Sequence, residues 1–438
     1  MTYLKILMTI LLLFQIQIGK TQQVFTLDDA ISIALKHNHS LEIDRNDIKI
    51  AQNKATLGNA GLLPTLDANV KQSYSSLNTA IEFGGGLPSA DEKGAASYSF
   101  SASLDLSYTI FDGFKNRYRL KSLNADVAIK DLYYTANVEK TMVDVINSYY
   151  NLIKIQSDLY NNMETYNYSV NRYEKIENEL KYGQNNLLEQ EKSKGYMNAD
   201  TSRILNTQMM LNREIFNLNK IMGIDTLKGK EIFESAIILK SGLQKEVLKN
   251  DLTAHNIDLK IGRINLLTAN LDVKTAKNYF FPKISLTSSY AYGKQANEVG
   301  TLLDNQTLGP TVGISIKRSI YKGGINKKDY QNTKIAYLNA KINVEETTFK
   351  LEQDFEQSWS EYQYYLNLIP LEKSNVEIAE SRYEKSRNQN QLGQLSSLEL
   401  RDAQLNLNKA KATFNEAMIN AKLAEWELMR LIGGIMGK

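Results

Sequence analysis

The chain has 438 residues, a length that on average holds two or three globular domains. Its 52 basic and 49 acidic side chains leave a formal net charge of +3, too balanced for a protein built around nucleic-acid phosphates. Cysteine is absent, which excludes disulfides, thiolate metal sites, a cysteine nucleophile and a lipid-bearing cysteine near the start.

The first element is an address. Lys5 precedes a nearly continuous apolar run from Ile6 to Phe14, the n-region and h-region of a secretory signal, expected to span residues 1–22. Gly19 and Thr21 are the only small residues near the cleavage point, so the mature chain is expected to begin between Thr21 and Val24. Export of a large chain without disulfides points to a bacterial source. Beyond this run, no apolar stretch approaches the ~20 residues of a membrane-spanning helix. Membrane β-barrels stay open, because their alternating strands keep mean hydropathy low.

The chain is written twice. Arg172-Tyr173-Glu174-Lys175 recurs 210 residues later as Arg382-Tyr383-Glu384-Lys385. The same offset pairs Phe111 with Tyr321, Gly113 with Gly323, Asn116 with Asn326, Gly183 with Gly393, Glu189 with Glu399 and Gly223 with Gly433. Upstream the offset becomes 218, pairing Leu41 with Leu259, Pro64 with Pro282 and Tyr74 with Tyr292. The difference falls between Tyr74 and Phe111, where Gly84-Gly85-Gly86 and Pro88 mark a loop. Self-similarity along one offset defines two repeats, 23–223 and 243–433, with a linker over 224–242 and a tail over 434–438.

Each repeat carries two strands. Between 97 and 111, Tyr98, Phe100, Ala102, Leu104, Leu106, Tyr108 and Ile110 alternate with serines, Asp105 and Thr109. That period of two makes a strand with one apolar and one polar face. Weaker alternation predicts strands at about 65–76, 283–293 and 311–321, with Arg318 breaking the apolar face of the last. A soluble sheet with one wet face would alternate in the same way. Aromatic placement favours a membrane barrel, since hairpin pairing would put Phe111, Tyr321, Phe280 and Phe281 at one level. Tyr74, Tyr98, Tyr290 and Tyr292 would form the other, giving the two girdles of a barrel. Four strands close no barrel, so several copies must share one.

The remainder is helical. From Val138 to Leu180 apolar residues recur at four-three spacing, through Leu152, Leu159, Met163, Tyr166, Val170 and Tyr173. Leu400, Ala403, Leu407, Ala410, Phe414, Ala417, Ala421, Ala424 and Leu428 repeat the pattern more cleanly. Such heptads predict coiled-coil hairpins over 114–222 and 325–432, with Pro370 kinking the second. Some 65 residues of helix reach ~100 Å, long enough to bridge space. Gly183 and Gly393 read as helix stops at the hairpin tips. The predicted fold class is α+β, with long α-helical hairpins and four transmembrane strands per chain.

In this order, the chain resembles the TolC-like outer-membrane efflux proteins over nearly its whole mature length. The resemblance rests on Phe25-Thr26-Leu27-Asp28-Asp29-Ala30, Pro64 and Pro282, Ile110-Phe111-Asp112-Gly113, Ile320-Tyr321-Lys322-Gly323-Gly324 and the two tips. It implies a homotrimer with a 12-stranded barrel in the outer membrane, standing on an α-helical periplasmic tunnel. It also implies a periplasmic adaptor and an inner-membrane pump as partners, and no cofactor. Family members place an acid six residues beyond the tip glycine, near a narrow aperture, which maps to Glu189 and Glu399. Asp402 follows on the same helical face, although a solvated face would look alike. The adaptor-contacting tips map to Tyr182-Gly183 and Leu392-Gly393. Lys192 replaces a second acid, Leu395 and Asn390 stand where gate-locking Arg and Tyr occur, and Gln184 and Gln394 depart from the family's tip pattern.

No nucleophile–base constellation is visible, so an enzyme is not expected. His37 and His39 are two apart on a helix and do not share a face for a metal, and His37 aligns with His255 as a trace of the repeat. Gly84-Gly85-Gly86 lacks the Lys-Ser/Thr ending of a phosphate loop. The competing functional class is a structural or adhesive coiled-coil protein with a small β-domain. A diffusion porin would not need such helices.

Overall fold

The computed structural model describes residues 25–82, 90–225, 237–240, 242–300 and 302–434. The expected signal, the Gly84–Gly86 loop, most of the expected linker and residues 435–438 lie outside this set. The chain forms two compact units, one from residues up to 44 with 134–257 and 348 onward, the other from 45–133 and 258–347.

In chain order the helices are α1 (Leu27–His37), α2 (His39–Lys54), α3 (Lys115–Lys181), α4 (Leu187–Met222), α5 (Lys245–His255), α6 (Ile257–Ala276), α7 (Ile325–Gln391) and α8 (Ser397–Leu431). The strands are β1 (Thr65–Ile81), β2 (Ala90–Phe111), β3 (Lys283–Asn297) and β4 (Asp304–Lys317). β1 and β2 extend past the expected ends, and β4 lies earlier than expected, stopping short of Tyr321. Pro370 is carried inside the continuous span of α7.

In the first unit the duplication is visible side chain by side chain. Thr26 caps α1 with Asp29 closing a capping box, so the chain enters helix at once. One core gathers Ala30, Ala34, Val145, Leu152, Leu218 and Met222 from α1, α3 and α4. The other gathers Leu248, Leu252, Phe355, Tyr362, Leu428 and Ile432, which occupy the equivalent positions in the second repeat. The second core carries the larger residue at four of these six positions, Leu248, Leu252, Phe355 and Tyr362 standing for Ala30, Ala34, Val145 and Leu152.

The helix breaks are duplicated too. Asn38, between α1 and α2, accepts from the Ser40 amide at 2.9 Å and donates Nδ2 to the Ile221 carbonyl at 2.8 Å. Asn256, between α5 and α6, donates Nδ2 to the Leu431 carbonyl at 3.0 Å. Beside each sits a left-handed glycine. A Cβ on Gly223 would fall 2.4 Å from the His37 carbonyl oxygen, and one on Gly433 2.7 Å from that of His255. The paired histidines thus mark a place where backbone meets backbone.

Within this chain, the covered stripe of α3 changes character in its distal part. Met163 is exposed there, and Leu159, Tyr166, Val170 and Tyr173 are only partly covered, while Asn161, Thr165 and Ser169 are buried. The reason is that α3 contacts both α4 and α8, so its covered stripe differs from that of a two-helix seam. Hydrogen bonds reach this stripe and the residues beside it: Asn408 Nδ2 to Thr165 Oγ1 at 2.7 Å, Ser169 Oγ to Asp200 Oδ2 at 2.6 Å and Asn162 Nδ2 to Thr207 Oγ1 at 3.0 Å.

The second unit holds one antiparallel sheet in the order β1-β2-β3-β4. Thr65 lies opposite Ser107 and Leu77 opposite Ala95. In the second hairpin Lys283 lies opposite Lys317 and Gln295 opposite Asn305, the same pairs displaced by 218 and 210 residues. The offsets read from the sequence are therefore the offsets of the strand register.

Candidate functional site

The sheet presents two chemically distinct faces. On one, Leu66, Val70, Leu104, Val312, Ile314 and Ile316 are all more than half exposed, an apolar surface that water does not favour. On the other, Asn69 Nδ2 donates to Asp105 Oδ2 at 2.7 Å, Ser103 Oγ donates to the same oxygen at 2.6 Å, and Ser73 and Ser99 hydroxyls meet at 2.6 Å. Small hydroxyls and amides on adjacent strands bond to each other and leave a hydrated surface. No described helix is long and apolar enough to cross a membrane.

The expected aromatic levels are met unevenly. Phe111 packs edge-on against Phe281 with centroids 6.2 Å apart, and Phe280 against Tyr330 at 6.4 Å. Tyr321 lies past the end of β4, exposed. At the far level Tyr74 and Tyr98 are directly opposite, with centroids 4.9 Å apart. Tyr290 and Tyr292 do not join them. Their partners are Leu104 and Ala102, well down β2 from Tyr98, because β3 pairs with β2 several residues below the row in which Tyr98 meets Tyr74. Tyr292 meets the Phe100 ring instead, with centroids 6.2 Å apart.

The hairpin tips of the first unit are built alike. Gly183 and Gly393 adopt left-handed φ values of 69° and 73°. The Gln184 amide reaches the Glu179 carbonyl at 2.8 Å, and the Gln394 amide reaches that of Gln389 at 2.9 Å. Each is a six-to-one closure that ends the helix and turns the chain. Tyr182 and Leu392, one before each glycine, are exposed. The next helices start at caps: Asn186 accepts from the Glu189 amide at 3.0 Å, and Ser396 from that of Glu399 at 3.3 Å.

Both expected aperture acids are therefore third residues of capped helices. Glu399 accepts from the Ser396 amide at 2.9 Å and hydroxyl at 2.6 Å, bonds that hold its carboxyl below the ordinary range. The Glu189 carboxyl is lowered first by its hydrogen bond from Lys192, at 2.9 Å, and then by the charges of Lys192 and Arg172, the latter 3.7 Å away. Asp402 is exposed on the following turn. Asn390 donates Nδ2 to the Leu395 carbonyl of its own tip at 2.8 Å.

Sequence reasoning missed a buried polar centre close to these tips. Asp200 on α4 accepts from Ser169 of α3 at 2.6 Å and from Arg401 of α8 at 2.8 and 3.0 Å. The Arg401 guanidinium also lies 4.6 Å from the Tyr196 ring centroid. A signal was present: neither Asp200 nor Arg401 has a like residue at its repeat position, where Ala410 and Glu191 stand.

The sequence pattern of the outer membrane efflux protein family matches residues 30–223 and 248–434, one match per repeat. The chain belongs to the outer membrane efflux protein family. Among curated relatives, the cation efflux system protein CusC of Escherichia coli K12 is 23% identical over 424 residues, covering 94% of this chain and 86% of CusC. The fold of this outer membrane efflux protein is also that of solved channels. The CmeC outer membrane channel of Campylobacter jejuni superposes with a TM-score of 0.79 at 17% identity, covering 93% of this chain and 85% of CmeC. The outer membrane protein VceC of Vibrio cholerae gives 0.72 at 19% identity, covering 93% and 96%.

Proposed function

We propose that this outer membrane efflux protein acts as a homotrimeric, passive exit duct, with its strands in the outer membrane and its hairpins in the periplasm. One observation carries this reading. The sheet has four strands, two unpaired edges and one exposed apolar face. In lipid each unpaired backbone group costs several kcal/mol, so the edges must be closed by other copies. Three chains supply twelve strands, above the ~8 that a small closed barrel requires.

In this reading energy comes from an inner-membrane pump coupled through a periplasmic adaptor. Tyr182, Gly183, Leu392 and Gly393 form the tips that meet the adaptor. Glu189, Glu399 and Asp402 form acidic rings near the aperture and attract cations, a role in keeping with the cation efflux named for CusC. Phe111, Tyr321, Phe280 and Phe281 anchor one membrane interface and Tyr74 with Tyr98 the other.

Reconstitution into a planar lipid bilayer tests the reading. A trimer that resists SDS or is captured by cross-linking, and that conducts ions, is the expected result. A stable, soluble, non-conducting monomer would overturn it in favour of a scaffold.

A further inference from the structure

On the polar face of the sheet each hairpin sets like charges opposite each other in one row. In the first hairpin Asp67 lies opposite Asp105, and the equivalent row of the second pairs Ser285 with Ser315. One polar row nearer the helices the roles reverse. Thr65 lies opposite Ser107 in the first hairpin, and Lys283 lies opposite Lys317 in the second. Directly opposed like charges destabilise a sheet, so each pair calls for counter-groups. Asp105 finds them within the sheet, in the Asn69 amide and the Ser103 hydroxyl. The lysines do not: among the described residues neither ammonium has an ion-pair or hydrogen-bond partner.

Both lysines line a recess of about 310 Å³, together with Lys115 at the start of α3 and the side chains of Asn116 and Asn278. Asp112 is the one carboxylate among its described lining residues, and its Oδ2 accepts from the Asn116 amide at 2.9 Å. Three ammonium groups against one engaged carboxylate leave a surplus that a doubly charged oxyanion balances. We propose that this recess is an anion site, where Lys283 and Lys317 hold an oxyanion of the phosphate class between them and Lys115 adds a third cation. Ammonium donors bond such oxygens more strongly than they bond neutral acceptors. Because the first repeat places Thr65 and Ser107 in the same row, the site occurs once per chain and not twice. Its place in transport rests on the duct reading above: a polar face turned inward puts the recess at the inner mouth of the strands, where solutes bearing such a group pass it.

The first repeat supplies the test variant, since threonine and serine already serve in that row. Inorganic phosphate is titrated against the detergent-solubilised full chain at constant ionic strength and followed by ³¹P line broadening. Saturable broadening is expected for the native protein, and Lys283→Thr with Lys317→Ser is expected to weaken it at least tenfold. Lys71→Ser removes a polar-face lysine outside the recess, opposite Ser101, and is expected to change the binding by less than about twofold. Equal binding by the native protein and the double variant, or equal weakening by Lys71→Ser, overturns the site. In planar bilayers phosphate is expected to reduce the chloride current of native trimers and to spare that of the double variant. A native current untouched by phosphate overturns the site's place in the duct. Phosphate binding by a protein that conducts nothing supports the site and overturns the duct instead.

Discussion

Arg401 on the last helix grips Asp200 on the descending helix of the first hairpin, Nη2 to Oδ1 at 2.8 Å and Nη1 to Oδ2 at 3.0 Å. Both side chains are almost wholly buried. Removing Arg401 leaves the buried Asp200 with Ser169 and the longer contact to Arg203 at 3.3 Å, so the loss falls toward the lower end of the ~3–5 kcal/mol that breaking a buried pair costs. Arg401→Met alone is expected to cost that much in urea unfolding of the solubilised protein. Adding Asp200→Asn is expected to recover part of the loss. A single substitution costing under about 1 kcal/mol would refute the buried pair.

The left-handed glycines separate into two kinds. Gly183 has open space around it, so Gly183→Ala meets only the backbone penalty of about 1–2 kcal/mol. Gly223→Ala meets that penalty and a carbonyl oxygen 2.4 Å from the new methyl. Gly223→Ala and Gly433→Ala are therefore expected to lower the thermal midpoint well beyond Gly183→Ala, and equal shifts in all three would refute the close approach.

Phe114 takes φ +69°, a conformation costly for a residue with a bulky side chain, while its repeat equivalent is Gly324. Its ring offsets the strain by meeting Phe111 at 5.4 Å and lying under the Arg117 guanidinium at 5.5 Å. Phe114→Gly loses the ring and relieves the strain; Phe114→Ala loses the ring and keeps it. Alanine is expected to be the less stable variant by about 1 kcal/mol, in a direct comparison of unfolding midpoints. The reverse order would show that φ at 114 is not strained.

The tip caps carry a pH signature. The carboxyls of Glu189 and Glu399 are both held below the ordinary glutamate value of 4.5. A depressed folded value contributes stability above the unfolded value and loses it as pH falls through the folded one. The Ser396–Glu399 capping box and the Glu189–Lys192 bond are therefore intact at neutral pH and weaken only below about pH 4.5. Ser396→Ala is expected to raise the Glu399 titration, followed by carboxyl ¹³C shifts, toward the ordinary value. Lys192→Met is expected to do the same for Glu189. An unchanged Glu399 titration would show that the capping box is not formed.

Much of this was readable in the chain because duplication writes each constraint twice. Two offsets located the strands, and the ladder then kept those offsets pair by pair. Gly183 and Gly393 announced their turns because a left-handed closure tolerates few other residues. The distal stripe of α3 was hidden, since Asn161, Thr165 and Ser169 look like solvent-facing positions until a third helix covers them. Alternation gives the face of a strand and says nothing about how far neighbouring strands slide, so the pairing of Tyr290 and Tyr292 with Leu104 and Ala102 was not readable. Asp200 and Arg401 lay 201 residues apart, joined by no local pattern.

The first hairpin outreaches the second. Thr79, Ala80 and Ile81 pair with Glu92, Asp91 and Ala90, and these rows have no counterpart between β3 and β4. In the proposed trimer a sixfold wall would thus end in a threefold crown.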